Sequence, residues 1–272
     1  MVVNMDILII HLNTATERLD FQKGQFKQLN LAFEIVEACS VSDISEESYQ
    51  SLGFGWQRPL RKVEVACFLS HQKAWETVLK KQKPCLILED DAVLAKRVPE
   101  LLKDIENTDF QDIDLINLEV RSRKKIISKA VFHNFQDSKT KLFELYQDRT
   151  GAAGYILYPS GAQKLLDRLA VSAPAIADGF IFSHYGLKSL QAEPAAIIQE
   201  DQMVPYGLVP AAQFDSIIGR SEHFKPEYAS FNEKFKFKQR RLAGQIAMAF
   251  RYIQVIAKAE KRFIKLDKKD FI

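Results

Sequence analysis

Three consecutive carboxylates, Glu89-Asp90-Asp91, follow directly on the apolar run Cys85 to Leu88 (CLIL). Acids held this close disfavour one another's ionisation unless a cation neutralises them. A hard divalent ion does this with oxygen ligands, commonly one or two carboxylates together with substrate phosphates. The triplet is therefore suited to hold Mn2+ or Mg2+ against a nucleoside diphosphate, where the ion offsets charge on a departing phosphate. The alternative is an exposed acidic turn that caps the next segment.

Other residues point the same way. Glu64 and the pair Ser70-His71 lie on the segment before the acidic strand. A spacing of seven residues is about two helical turns, so Glu64 and His71 share a face. His71 is placed to bond a phosphate or to order a carboxylate of the triplet, unless it is an ordinary structural histidine. Asn13 and Arg18 follow the first apolar run. A guanidinium there can grip phosphate or stack on a base, the alternative being a solvated helix face. Asp178 stands alone among apolar residues, and Glu119 ends the run Asp114 to Leu118 (DLINL). Either can serve as the general base for an acceptor hydroxyl, or Asp178 can cap a helix.

These groups need a scaffold, and the apolar periodicity supplies one. Asp6 to Leu12 (DILIIHL), Cys85 to Leu88 and DLINL read as strands buried on both faces. Phe33 to Ala38 and Gly154 to Tyr158 read as further strands, Leu142 to Tyr146 as an edge strand, and Leu190 to Gln199 as an edge or bulge because of Pro194. Helices are expected after Thr14 or Thr16 as N-cap, over Val63 to Lys81, from Pro99, from Pro159 to near Leu169, and from Phe235 onward. This alternation predicts an α/β fold with an open nucleotide-binding sheet and flanking helices, whose ligands gather at the carboxyl ends of the strands.

The chain has 272 residues, enough for a large core without staples. Cys39, Cys67 and Cys85 are odd in number and scattered, which fits reduced, packed thiols and a reducing compartment. No signal peptide or run of spanning length is evident. Charge is uneven: residues 223–272 carry 13 Lys/Arg against 5 Asp/Glu, and the rest carries 25 against 30. Residues 1–222 are thus expected to form the catalytic domain and 223–272 a basic amphipathic helical tail. Such a tail suits an anionic membrane surface or, through its helices, a homodimer; no nucleic-acid partner is expected.

The segments ILIIHLNTATER (from Ile7), EVACFLSHQKAW (from Glu64), LILEDDAVL (from Leu86) and GAAGYILYPSGAQKLL (from Gly151), followed by the isolated Asp178, occur in this order. In them the chain resembles glycosyltransferase family 25, the bacterial lipooligosaccharide galactosyltransferases and their collagen-modifying relatives. The resemblance runs from about Met5 to Ile218. It implies a GT-A fold, a UDP-sugar donor such as UDP-galactose (or its glucose counterpart), a lipooligosaccharide acceptor and inversion at the anomeric carbon. It makes the acid triplet the metal motif, with Asp91 the first ligand and Asp90 its support, and sets Asn13, Arg18, Glu64, Ser70, His71, Glu89 and Asp90 around the donor. Asp178 is the expected base and Glu119 the alternative, because the family usually has a small residue where this chain has Glu119. The expected location is the cytoplasmic face of the bacterial inner membrane. A metal-dependent nucleotidyltransferase and a non-enzymatic membrane-surface module are the competing readings; the first usually carries a glycine-rich loop where this chain has Asn13-Thr14-Ala15-Thr16.

Overall fold

The computed structural model describes residues 3–210, 228 and 230–271. The first apolar run forms β1 (Asp6–His11), followed by α1 (Thr16–Leu29) and β2 (Glu34–Glu37). Ala15 occupies the N-cap position of α1 with no side-chain cap, so neither Thr14 nor Thr16 plays that part. A short α2 (Glu46–Leu52) precedes α3 (Lys62–Lys81), which delivers the chain to β3 (Cys85–Glu89) and, after a two-residue turn, β4 (Ala92–Leu94). Then come α4 (Val98–Glu106), β5 (Leu115–Asn117), β6 (Glu119–Val120), β7 (Lys125–Ser128), β8 (His133–Asn134), β9 (Lys141–Gln147) and β10 (Gly154–Leu157). Helices α5 (Pro159–Val171) and α6 (Ala177–Phe182) lead to β11 (Ser189–Glu193) and β12 (Ile197–Gln199); α7 (Phe231–Val255) and β13 (Ala259–Arg262) close the described chain.

The main sheet has the order β13-β7-β9-β11-β5-β10-β3-β1-β2, with β8 also on β9. Strands β2, β1 and β3 are parallel, β10 runs antiparallel between β3 and β5, and β11 is parallel to β5. The carboxyl ends of β1, β3, β5 and β11 and the amino end of β10 therefore meet at one rim. A small second sheet, β4-β12-β6, sits beside that rim and pairs Gln199 with Ala92 and Ile197 with Glu119.

Strand periodicity divides the core into two layers. Ile7, Ile9, Leu86, Leu88, Ile116 and Ile156 face Phe26 of α1 and Leu101, Leu102 and Ile105 of α4. The alternate residues Leu8, Ile87, Leu115, Tyr155 and Leu157 face Trp75 and Val78 of α3 and Leu165 of α5. The sheet is covered on both faces, as its near-continuous apolar strands require. The α/β architecture expected from the sequence is present.

Three expectations change. Leu142 to Tyr146 is interior, because β9 lies between β7 and β11. The Leu190 to Gln199 segment is two strands in two sheets, divided at Pro194, whose peptide bond with Glu193 is cis. The helix expected from Phe235 onward begins at Phe231 and stops at Val255. The chain then returns as β13, antiparallel to β7, and Arg262 pairs with Glu193. The expected boundary between residues 222 and 223 and the far end of the resemblance at Ile218 lie outside the described residues.

Helix α5 packs close against β5 through Gly161, where an added Cβ would lie 2.3 Å from the Asp114 carbonyl oxygen and 2.9 Å from Leu157. Backbone cannot yield as a side chain can, so Gly161→Ala is expected to destabilise the protein by about 1–3 kcal/mol. A thermal melt reads this directly, and an unchanged melting temperature would show that the helix moves off the strand at no cost.

Candidate active site

The turn between β3 and β4 carries the acid triplet, and its three carboxylates point to different places. Asp90 is buried. One oxygen is 2.9 Å from Nδ1 of His11 at the end of β1, the other accepts from Arg18 of α1 at 2.7 Å, and Gln22 donates to its main-chain carbonyl at 3.0 Å. Asp90 thus binds α1 to the rim of the sheet. Arg18, expected at the donor, spends one nitrogen on this clamp and lies 3.9 Å from Asp91.

Glu89 turns the other way and is fixed by a directional chain. The indole of Trp75 can only donate, and it donates to the Tyr155 hydroxyl at 2.9 Å. Tyr155 in turn lies 3.0 Å from Nδ1 of His71, and Nε2 of His71 lies 3.1 Å from Glu89. Burial holds the Tyr155 proton in place, so the consistent order is Trp75 to Tyr155 to His71 to Glu89, each donating to the next. Gln199 occupies the second Glu89 oxygen at 3.0 Å. Burial opposes the Glu89 charge, but the His71 hydrogen bond brings its pKa below the ordinary value. His71 therefore orders a carboxylate, one of the two roles its position allowed. Cys67, His71 and Glu89 gather within 4.8 Å of one another, but both ring nitrogens of His71 already have partners.

Asp91 is the least engaged acid of the triplet. Its nearest hydrogen-bond donor is Gln199, at 3.5 Å. Burial, reinforced by the charge of Glu89, pushes its pKa up to about 7. A half-buried carboxylate beside two others is an oxygen donor set that a hard cation would complete. The residues fit a divalent ion, with Asp91 as ligand and Glu89 in support; Asp90 has both oxygens engaged by His11 and Arg18.

Beside the triplet a cavity of about 200 Å3 is lined by Glu64, Cys67, Glu89, Arg121, Gly151, Ala152, Asp178 and Gln199, among others. Asp178 enters from α6. That short helix is held by Phe180, stacked on Trp75 with ring centroids 5.8 Å apart, and by Arg168, which donates to the Phe180 carbonyl at 2.7 Å. One Asp178 oxygen accepts from the Gly179 N–H at 2.7 Å. Burial raises its pKa despite that bond, and the charge of Asp148 adds to the rise.

Glu119 does not line this cavity. It is fully buried beneath the Gly151–Ala153 loop, where Oε2 accepts from the Ala153 N–H at 2.7 Å. Gly151, at φ +93°, passes so near that a Cβ would sit 2.6 Å from that carboxylate, so glycine is required twice over. The loop is pinned again by Asp148, which pairs at 2.6 Å with the buried Lys125 of β7.

Glu64 lines the cavity, yet Arg58 grips both its oxygens at 2.8 Å, and the Arg61 N–H at the start of α3 adds a 2.8 Å bond. These bonds outweigh burial and lower its pKa. Of the expected donor residues only Glu64 and Glu89 line the cavity; Arg18, His71 and Asp90 make the contacts given above, and Asn13 and Ser70 are engaged elsewhere. Asn13 is exposed and donates to Glu37 at 2.6 Å; Ser70 accepts from the Cys39 N–H at 2.8 Å and donates to the Ala66 carbonyl at 2.7 Å. Side-chain type suggested ligands; local backbone took the bonds of Ser70, and the Glu37 carboxylate that of Asn13. His11, Arg121, Tyr155 and Gln199 were missed, because none stands in a run or spacing that marks it. Arg121 matters most as a cation on the cavity wall, 3.9 Å from Asp201.

In an open α/β sheet ligands gather outside the carboxyl ends of the strands, and the carboxylate cavity lies at that rim. The sequence profile of glycosyltransferase family 25 (LPS biosynthesis protein) matches residues 4–181, and the chain belongs to that family. It is therefore a glycosyltransferase, which sets aside the nucleotidyltransferase and non-enzymatic readings. It is 28% identical over 206 residues to the lacto-N-neotetraose biosynthesis glycosyltransferase LgtE of Neisseria gonorrhoeae, covering 71% of this chain and 73% of that protein. It is 24% identical over 227 residues to the lipooligosaccharide biosynthesis protein lic2B of Haemophilus influenzae, covering 76% and 81%. Among solved structures it matches a Drosophila β-1,4-galactosyltransferase 7 mutant, in complex with manganese, UDP-Gal and xylobiose, over 82% of each chain at 7% identity and a TM-score of 0.36. So loose a likeness bears on neither the site nor its chemistry.

The buried Glu119 has a consequence for stability. Burial pushes its pKa up to about 8, only partly opposed by the charge of Lys125. Between the ordinary glutamate value and about 8, the unfolded chain has lost this proton and the folded chain keeps it, so stability falls as pH rises. Glu119→Gln keeps a neutral acceptor for Ala153 and removes the ionisation. Its stability relative to the parent should be smallest near pH 4, rise through neutrality and level off above pH 8. A pH-independent difference in denaturant midpoints would show that Glu119 is ionised in the fold.

Proposed function

We propose that this chain moves a hexose, galactose in the first instance, from a UDP-sugar onto a sugar of a bacterial lipooligosaccharide, with inversion at the anomeric carbon. The observation that carries the reading is a single cavity lined by both Asp178 and Glu89, the first acid of the triplet, with Asp91 two residues further along the chain. One group is free to take a proton while the other lies where a diphosphate would leave. The names of the Neisseria and Haemophilus relatives support the acceptor class.

In this reading Asp178 is the general base. Its raised pKa keeps it nearer to neutral pH than an ordinary aspartate, which improves proton acceptance from a sugar hydroxyl. The hydroxyl oxygen attacks the anomeric carbon as the bond to the UDP oxygen breaks, and its proton passes to Asp178. Arg121 is the cation on the cavity wall that can pair with phosphate oxygens. His71 and Gln199 hold Glu89 against rotation, and the Asp90 clamp holds the turn. A divalent ion at Asp91, when bound, offsets the charge of the UDP leaving group.

Two outcomes test the assignment. Asp178→Asn should lower turnover by about 10²–10⁴-fold while UDP affinity, measured by titration calorimetry with Mn2+, stays near that of the parent. The acid limb of the parent's pH–rate profile should fall as pH drops through the raised pKa of Asp178, and the variant should lack that limb. A matching loss of UDP affinity would make Asp178 a donor ligand instead.

Asp91→Asn should abolish the Mn2+-dependent part of UDP binding and lower turnover by several decades, since such metal stabilisation is worth several kcal/mol. Binding and activity that survive both this change and exhaustive chelation would remove the metal from the reading. A panel of UDP-sugars against truncated lipooligosaccharides decides the donor and acceptor.

A further inference from the structure

Helix α7 presents an apolar stripe away from the body of the protein. Phe231, Phe235, Leu242, Ile246, Phe250 and Ile253, with Ile256 just beyond the helix, are all exposed. At 3.6 residues per turn these positions fall within an arc of roughly 120°. Ile246, Phe250 and Ile253 remain 60%, 61% and 68% exposed, far above the level of packed side chains.

The opposite face is the one that packs. Phe237 and Val255 are each 2% exposed, Arg240 donates to the Phe54 carbonyl at 2.8 Å, Gln147 donates to the Met248 carbonyl at 2.5 Å, and Arg251 lies over the Tyr146 ring. The helix is thus docked on the body by one side, and among the described residues nothing covers the other. A contiguous apolar stripe of this kind is costly in water and marks an interaction surface.

Charge decides the occupant. Lys234, Lys236, Lys238 and Arg241 are exposed along the same helix, whose one acid is Glu233 in its first turn. A symmetric pairing of two copies through the stripe would bring two basic rims together, which is unfavourable. An anionic lipid surface takes both components, because apolar side chains enter the acyl boundary while Lys and Arg meet headgroup phosphates. No described helix is long and apolar enough to cross a membrane, so the geometry is that of lying on one.

We propose that the exposed face of α7 is an interfacial anchor for an anionic bilayer. The anchor is connected to the active site through the loop that follows α2. Arg240 holds the loop around Phe54 and Trp56; the next arginine in that loop, Arg58, grips Glu64 at the cavity, and Trp56 lies against Gly179 beside Asp178. A surface-bound helix would therefore hold the cavity at a fixed height above the lipid. Binding itself needs neither donor nor metal, so it stands or falls apart from the proposed transfer reaction.

The test is sedimentation of the full chain with vesicles of phosphatidylglycerol and phosphatidylcholine, or of phosphatidylcholine alone. The parent should bind the anionic vesicles, less so as salt rises, and bind the neutral ones weakly. The triple variant Ile246→Ser, Phe250→Ser, Ile253→Ser should lose at least about 10-fold in vesicle affinity, since it removes the apolar component, yet keep its activity on a soluble acceptor. Lys234→Glu, Lys238→Glu, Arg241→Glu should reduce binding to a similar degree and provides the second reading if the serine variant misfolds. No binding by the parent, or equal binding by parent and both variants, overturns the proposal. So does a parent dimer that the serine variant converts to monomer without any vesicle binding, which would assign the stripe to a second copy.

Discussion

The site depends on one buried carboxylate. Asp90 sits between His11 and Arg18, and its main-chain carbonyl is taken by Gln22. Two elements far apart in sequence, the end of β1 with α1 and the β3–β4 turn, are joined by that side chain. Removing one partner from so desolvated a charge pair costs about 3–5 kcal/mol, because the other is left uncompensated. The clamp also sets direction. With Asp90 drawn towards α1, Glu89 faces the cavity, and Gln199 of the small second sheet lies against both Glu89 and Asp91.

The remaining acids show the cost of this arrangement. Asp91 and Glu119 are both pushed above ordinary carboxylate behaviour by burial, and Asp178 moves the same way. Lys125 is spent on Asp148, Arg58 and Arg61 on Glu64, and Arg18 on Asp90. The cations close to the rim thus go to structural acids, and Asp91 is left short of positive charge. That shortfall is the physical reason the acid turn fits the divalent ion of the proposed reaction.

Much of the scaffold was legible because its strands are buried on both faces. DILIIHL and CLIL have no polar alternation to disguise them, and their helices carry ordinary amphipathic periods. The polar half of the sheet was less readable. KLFELYQ alternates in the manner of an edge strand, yet β7 covers it, and β7 in turn is covered by AEKR, a strand that only pairing could reveal. At the site, carboxylates stood out by their clustering or isolation. Gln199 and Arg121 did not, because their roles come from the three-dimensional meeting of β12, the segment after β6, and the β3–β4 turn. Ser70 and Asn13 lie away from the cavity for the converse reason: short polar side chains are readily claimed by neighbouring backbone or side chains.

The end of the chain joins these themes. A basic, amphipathic segment read from sequence as a helical tail supplies a helix and then the outermost strand of the main sheet. Arg262 reaches Glu193 at the end of β11, and Asp270 reaches Arg97 at the start of α4. Residues beyond the helix are thus stitched into the catalytic body, and α7 is held along its packed face and beyond its C-terminal end. A flexible tether would leave the cavity free to tumble relative to whatever the helix touches. A helix fixed at its packed face and followed by a sheet strand cannot do so, and any surface it engages acquires a defined orientation towards Asp178.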